Sequence, residues 1–191
     1  MTAQRQPAAS IDPLFVERWS PRSFADTPLG DEDVASLFEA ARWSPSCFNE
    51  QPWLFVYGRS SEDHGRIADL LPDGNRVWAE KAPLLGVVFA RRGFTRNGKP
   101  NRWAQFDSGA ASFGLALQAQ KLGLAAHFMG GFDADASYEA LGVSKDEYEA
   151  MAAFAVGHQG EATALPEDLR EREAPSDRLE RRAIAIEGRN E

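Results

Sequence analysis

The chain has a single cysteine, Cys47, among 191 residues. That excludes an intrachain disulfide and any metal centre built from several thiolates. The three histidines, His64, His127 and His158, stand far apart with no H-x-x-x-H spacing, so paired histidine ligation has no support. There is no G-x-x-x-x-G-K-[ST] loop, no G-x-G-x-x-G fingerprint and no G-x-S-x-G elbow, which leaves nucleotide-loop, Rossmann-type and serine-hydrolase chemistries without a motif. No apolar run reaches the ~20 residues of a membrane span. The opening MTAQRQPAASIDP lacks the apolar centre of a signal peptide. Residues 1–11 therefore read as a flexible polar tail, and a reducing cytoplasm is the expected compartment. Positive charge is also scarce: 21 Lys+Arg against 29 Asp+Glu give a net charge of −8. That balance argues against a nucleic-acid partner, which needs a basic face.

What is present suits one globular domain over residues 1–191, with 43% hydrophobic residues. Asp12-Pro13 predicts a helix start, with Pro21 stopping that helix so that Arg18 falls on its last turn. Asp31 predicts the cap of a second helix, along which Val34, Leu37, Phe38 and Ala41 form an apolar stripe. WLFVY (53–57), LLGVVFA (84–90), LAAHFM (124–129) and MAAFAVG (151–157) predict strands. Helices are expected at about 61–71 and 106–122, with a turn at PDGN (72–75), a short helical piece after it, and a capping-box helix start at Ser144 and Glu147. RAIAIEG (182–188) alternates and predicts a last strand that pairs away from its own core. Residues 91–102 form a polar, glycine-containing excursion, the best candidate for a mobile lid. Helices and strands mix without a regular βαβ rhythm, so the expected class is an α+β sandwich.

The stretch RWSPR (18–22) places Arg18, Ser20 and Arg22 at alternating positions in an acidic chain. Guanidinium forks match phosphate and stay charged, and the serine adds a short donor between them. The loop PSCFNEQPW (45–53) sets Ser46, Asn49 and Gln51 among aromatics and prolines. Such a mix suits a ligand with a phosphate, a polyol and a planar hydrogen-bonding ring. Taken singly, each feature has a structural explanation. Arg18 can neutralise a helix end, Asn49 can satisfy loop backbone, Trp43 and Trp53 can be core, Cys47 can be filler, and Gly130-Gly131 can be a plain turn. The combination is what favours a ligand.

These residues resemble the FMN-dependent nitroreductase family. R-x-S-x-R at 18–22 with F-A-D at 24–26 is similar to its N-terminal flavin motif, and LFEAARWSPSCFNEQPW (37–53) to its most recognisable stretch. The likeness continues through Asn75, A-P at 82–83, DSGAASFGLALQAQKLGL and HFMGGFD (127–133). It implies a mixed, mainly antiparallel sheet flanked by helices in a three-layer sandwich, assembled as an intertwined homodimer with shared sites. The implied activity is hydride transfer from NAD(P)H through bound FMN to an electron-poor acceptor such as a nitroaromatic or quinone. By position, Arg18 and Ser20 would hold the phosphate side and Arg22 the N1/O2 edge of the ring. Asn75 would meet the pyrimidine edge, and the backbone of Gly130 and Gly131 would face N5. Ser46 and Asn49 would arrive from the partner subunit, and Arg178 would join the phosphate. No catalytic side chain and no metal are implied, because the flavin carries the chemistry. Gly130 and Trp78 stand where some relatives carry an acidic residue and a lysine, and SDRLERR lacks the usual proline. Two alternatives stay open: a member with a dedicated metabolic acceptor, such as an enone or halogenated aromatic, and a protein that stores or senses FMN without turnover.

Overall fold

In the computed structural model, which describes residues 5–189, four strands make one antiparallel sheet. They are β1 (Trp53–Gly58), β2 (Leu84–Arg91), β3 (Ala125–Met129) and β4 (Tyr148–Gly157), in the order β1-β2-β4-β3. β2 and β4 occupy the centre, which explains why their sequences are apolar runs rather than alternating ones. The alternation in β4 sorts two cores. Phe154 and Val156 pack on one face with Val34, Leu37 and Ala41 of α2 (Asp31–Arg42) and Ala111, Leu115 and Ala119 of α5 (Ala104–Lys121). Ala153 and Ala155 face the other way. They join Ile67 and Ala68 of α3 (Ser61–Ala68), and Trp78 and Ala79 of α4 (Asp73–Ala79). The result is the expected three layers, with helices on both faces of the sheet. Gly86 of β2 is required for its size, because a Cβ there would run into the Phe154 ring and the Val56 carbonyl.

Several elements differ from expectation. The first helix, α1 (Pro13–Glu17), starts as predicted, with the Asp12 carboxylate accepting from the Leu14 N–H at 2.9 Å. It ends earlier, leaving Arg18 extended at φ −61, ψ 126 instead of on the last turn. Pro21 has no N–H to offer the Glu17 carbonyl, and the Arg5 guanidinium takes the carbonyls of Val16 and Arg18 at 2.9 Å each. The cap of α2 is Gly30, with Asp31 inside the first turn and ion-paired to Arg59. PDGN is not a free turn: Pro72 is the N-cap of α4 and Asp73 its first residue.

The Ser144–Glu147 capping box makes a single turn, its Ser144 carbonyl accepting from the Tyr148 N–H at 3.0 Å. The chain then enters β4, because burial at the sheet centre outweighs a local helix start. The helix lies upstream instead, as α6 (Ala134–Leu141), capped by Asp133 at 2.9 Å from the Ala136 N–H and closed by Gly142 at φ 65. A further short helix, α7 (Glu167–Arg170), precedes the C-terminal segment. The predicted last strand is absent from the single chain. Arg181–Ala183 form a 3₁₀ turn, and Ile184 and Ile186 have no core to enter. The excursion after β2 is a tight hairpin, with the Phe94 N–H bonded to the Lys99 carbonyl at 2.8 Å and Gly98 at φ 68. No described helix is long and apolar enough to cross a membrane.

Candidate functional site

Past α1, the extended stretch 18–22 meets the segment after α7, and the two enclose a cavity of about 310 Å³. Arg5, Arg18, Arg22, Arg172 and Arg178 all line it, with Ser20, Ser176, Trp19 and His127. Four residues singled out from the sequence, Arg18, Ser20, Arg22 and Arg178, are therefore brought together here. The Arg18 Nη1 lies 3.4 Å from the Ser20 hydroxyl oxygen. Among the described residues, Arg22 alone of the five arginines has a carboxylate within ion-pair reach, Glu173 at 4.0 Å.

Positive charge is thus concentrated where little negative charge answers it. Burial first, then the Arg178 and Arg5 charges, hold the Arg18 guanidinium below its ordinary pKa. Clustered cations that disfavour one another would be relieved by an anion placed among them. The cavity has the donors and the charge for a phosphate monoester, whose oxygens accept several charge-assisted hydrogen bonds.

Glu173 shapes the site without neutralising it. Its carboxylate accepts from the backbone N–H groups of Arg22 (2.8 and 3.1 Å) and Ser23 (2.9 Å), fixing the bend after Pro21. His127 closes the floor. Its Nδ1 lies 2.8 Å from the Pro21 carbonyl, and its ring packs 4.6 Å from that of Trp78. Burial, with a smaller push from Arg22, lowers the His127 pKa against the opposing effects of the Pro21 bond and Glu173. The neutral ring donates through Nδ1, which leaves Nε2 as an acceptor.

Trp78 and His127 connect the cavity to a second group. Asn75 lies one turn before Trp78 on α4, and its Nδ2 donates to the Gly131 carbonyl at 2.8 Å. A Cβ on Gly131 would sit 2.9 Å from that Nδ2 and would push the Asn75 amide aside. Gly130 precedes it, just past the end of β3. Ser46 and Asn49 do not approach the cavity within this chain. They belong to a loop fixed by the Cys47 N–H bonded to Asp107 at 3.0 Å and the Gln51 N–H bonded to the Ser46 hydroxyl at 2.9 Å. In this loop Phe48, Asn49 and Gln51 all take positive φ (55, 57 and 47), and Phe48 is 68% exposed. Three non-glycine residues in the left-handed region make this a locally strained loop. Trp43 is likewise solvent-facing, bonded through Nε1 to Glu39 at 2.7 Å, and not core.

Sequence reasoning missed Arg5, Arg172, His127 and Glu173. Arg5 sits in a stretch read as tail, Arg172 and Glu173 lie in a charged run without a motif, and His127 falls in the family-like stretch HFMGGFD without a role of its own. Only the R-x-S-x-R spacing carried a local signal.

The nitroreductase family model matches residues 16–77 and 70–158. The chain belongs to the nitroreductase family. A Streptomyces coelicolor protein provisionally named an NADH dehydrogenase/NAD(P)H nitroreductase is 33% identical over 148 residues, 68% of this chain and 73% of that protein. A Streptomyces griseus protein of the same description is 28% identical over 194 residues, covering 89% and 95%. Among solved structures, this nitroreductase-family chain is similar to an oxidoreductase containing FMN, at 42% identity and a TM-score of 0.92 over 97% of this chain and 95% of that one. The fold also matches a nitroreductase family protein from Streptococcus pneumoniae, at 21% identity and a TM-score of 0.74 over 92% and 98%.

Proposed function

We propose that the chain is an NAD(P)H-dependent FMN oxidoreductase that works as a homodimer with shared sites. The observation that carries this reading is the cavity of five arginines with one carboxylate in ion-pair reach. The 42% identical oxidoreductase containing FMN supports the cofactor, and the names of the Streptomyces relatives support NAD(P)H as donor. Bound at this site, FMN supplies hydride exchange between NAD(P)H and an electron-poor acceptor such as a nitroaromatic or a quinone.

The protein's own residues bind, orient and tune. Arg18, Ser20 and Arg178 hold the phosphate. Arg22, braced through its backbone by Glu173, would lie toward the ring of a bound FMN and would favour its more negative reduced form. Asn75 would meet the pyrimidine edge of the ring, and the backbone at Gly130 and Gly131 would face N5. The Asn75–Gly131 bond fixes these two protein groups relative to each other before the cofactor arrives, which is the preorganisation electrostatic sites need.

Completion of the site falls to a second copy. Ser46 and Asn49 belong to a loop with three non-glycine residues at positive φ and do not line this chain's own cavity, which suits their delivery to a partner's cofactor. The exposed face of α5 supplies the contact: Phe106 is 75% and Phe113 46% exposed, with the small Gly109 between them. Leu179, Ile184 and Ile186 in the C-terminal segment expose a further apolar edge for the partner.

The test is rapid mixing of the yellow protein with NADH or NADPH, followed by a nitroaromatic or quinone. Bleaching of the flavin absorbance and its recovery on adding acceptor is the expected result. A flavin that stays oxidised with both donors contradicts turnover and favours a storage or sensing role.

A further inference from the structure

Arg5 belongs to no motif and precedes the first helix, yet its side chain ties together segments far apart in the chain. Nη1 donates to the carbonyls of Val16 and Arg18, both at 2.9 Å, and Nε donates to the Ser176 carbonyl at 3.1 Å. One planar group thus joins the end of α1 to the C-terminal segment that carries Arg172 and Arg178. Its Nη2 bonds none of the described residues, although the side chain lines the arginine cavity. A guanidinium offers five N–H groups in a rigid fork, and three are consumed by these carbonyls. The remaining pair has no partner within the described protein. Burial and the Arg178 charge lower the Arg5 pKa, with Asp177 opposing, so an added anion relieves a strain already present.

We propose that Arg5 is a phosphate-binding residue, gripping the protein with Nε and Nη1 and the phosphate of FMN with Nη2. The inference rests on the reading of the cavity as the FMN phosphate site and adds to it a residue from outside the recognisable motif. It gives the N-terminal segment a purpose. The residues between Arg5 and α1 form no helix or strand and are mostly exposed, so the Arg5 side chain is what fastens them. Arg5 also couples the two sides of the cavity, because the carbonyls it holds belong to the segments that present Arg18 and Arg178. The segment acts as a strap over the phosphate end, and releasing it loosens both cationic walls together.

Riboflavin provides the control, since it has the ring and ribityl chain of FMN without the phosphate. Apo-protein of wild type, Arg5→Ala and Arg5→Lys is titrated with FMN and with riboflavin, following the quenching of flavin fluorescence. Losing a charge-assisted hydrogen bond lowers affinity roughly ten- to a hundredfold. Arg5→Ala is expected to lose about that much FMN affinity while binding riboflavin as wild type does. Arg5→Lys keeps the charge without the fork and falls between the two. Melting of the apo-proteins in inorganic phosphate gives a second readout: phosphate raises the wild-type Tm more than that of Arg5→Ala. Unchanged FMN affinity in Arg5→Ala overturns the proposal, as does an equal loss for FMN and riboflavin, which makes Arg5 a purely structural tie. Equal affinity of the wild type for FMN and riboflavin contradicts the phosphate reading of the cavity itself, and the Arg5 role with it.

Discussion

The arginine cavity and the outer face of α5 both lie outside the two packed cores, and they are finished to different degrees. In the cavity the supporting groups are satisfied within one chain: Glu173 serves two backbone N–H groups, His127 meets Pro21, and Arg5 holds three carbonyls. What is left open there is charge. On α5 the open quantity is apolar surface, with Phe106 and Phe113 facing out and the Phe15 ring tilted against that of Phe113 at 6.1 Å. A polar site can be built by one chain and completed by a small anion. On the proposed reading an apolar face is completed by another protein surface, so the two regions call for different partners.

Breaking the α5 face should produce the largest effect. Burying a phenylalanine is worth about 1.5–3 kcal/mol, and a two-fold interface counts each substitution twice. Phe106→Asp should therefore weaken self-association roughly a hundredfold or more. Because Phe106 is so exposed in the single chain, the fold should survive, as circular dichroism would register. FMN retention should fall with the dimer, since Ser46 and Asn49 leave with the partner.

Breaking the cavity is the next largest step, and it separates the two regions. Arg18→Ala should cost about 1.5–3 kcal/mol, a ten- to hundredfold loss of FMN affinity. Sedimentation of the apo-protein should be unaltered. An Arg18→Ala protein that titrates with FMN as tightly as wild type removes Arg18 from the site.

Arg22→Ala sharpens the comparison further, because it changes the character of the cavity rather than its occupancy. A cation near the ring stabilises the reduced flavin, so its removal should lower the midpoint potential by about 30 mV or more; 30 mV is ~1.4 kcal/mol for a two-electron couple. Spectroelectrochemical titration measures it, and a wild-type midpoint places Arg22 away from the ring.

The smallest effect concerns His127. Its folded pKa lies below the ordinary value of 6.5, so the unfolded chain binds that proton more readily. Stability should consequently fall as pH drops below about 6.5 and level off beneath the folded pKa. Melting of the apo-protein across this range should show a steeper acid-side loss for wild type than for His127→Asn. Matching slopes would mean that His127 protonates freely in the folded chain.

How much was legible in advance divides along the same line. The runs 53–57, 84–90 and 151–157 announced their strands because burial on the sheet leaves long apolar stretches. The α6 helix was missed although Asp133 caps it and Gly142 closes it, because those signals flank a segment that follows two glycines. The Ser144 capping box was legible but misleading, since local turn chemistry does not register the demand of the sheet centre. In the site, R-x-S-x-R was visible as a spacing. Arg5 and Glu173 were not, because their contacts span well over a hundred residues and leave no periodicity: Arg5 to Ser176, and Glu173 to Arg22. The expected strand at 182–188 illustrates the remaining limit. Its alternation is real, but Arg181–Ala183 turn as a 3₁₀ helix and Ile184 and Ile186 stay exposed, so alternation without a buried face did not make a strand.

The central claim is that the cavity binds FMN in a site the second copy completes. Light scattering combined with flavin absorbance, on the wild-type protein over a dilution series, tests it most directly. The expected result is a dimer carrying two FMN that releases flavin over the same concentration range in which it dissociates. A monomer that keeps one tightly bound FMN per chain would contradict the account.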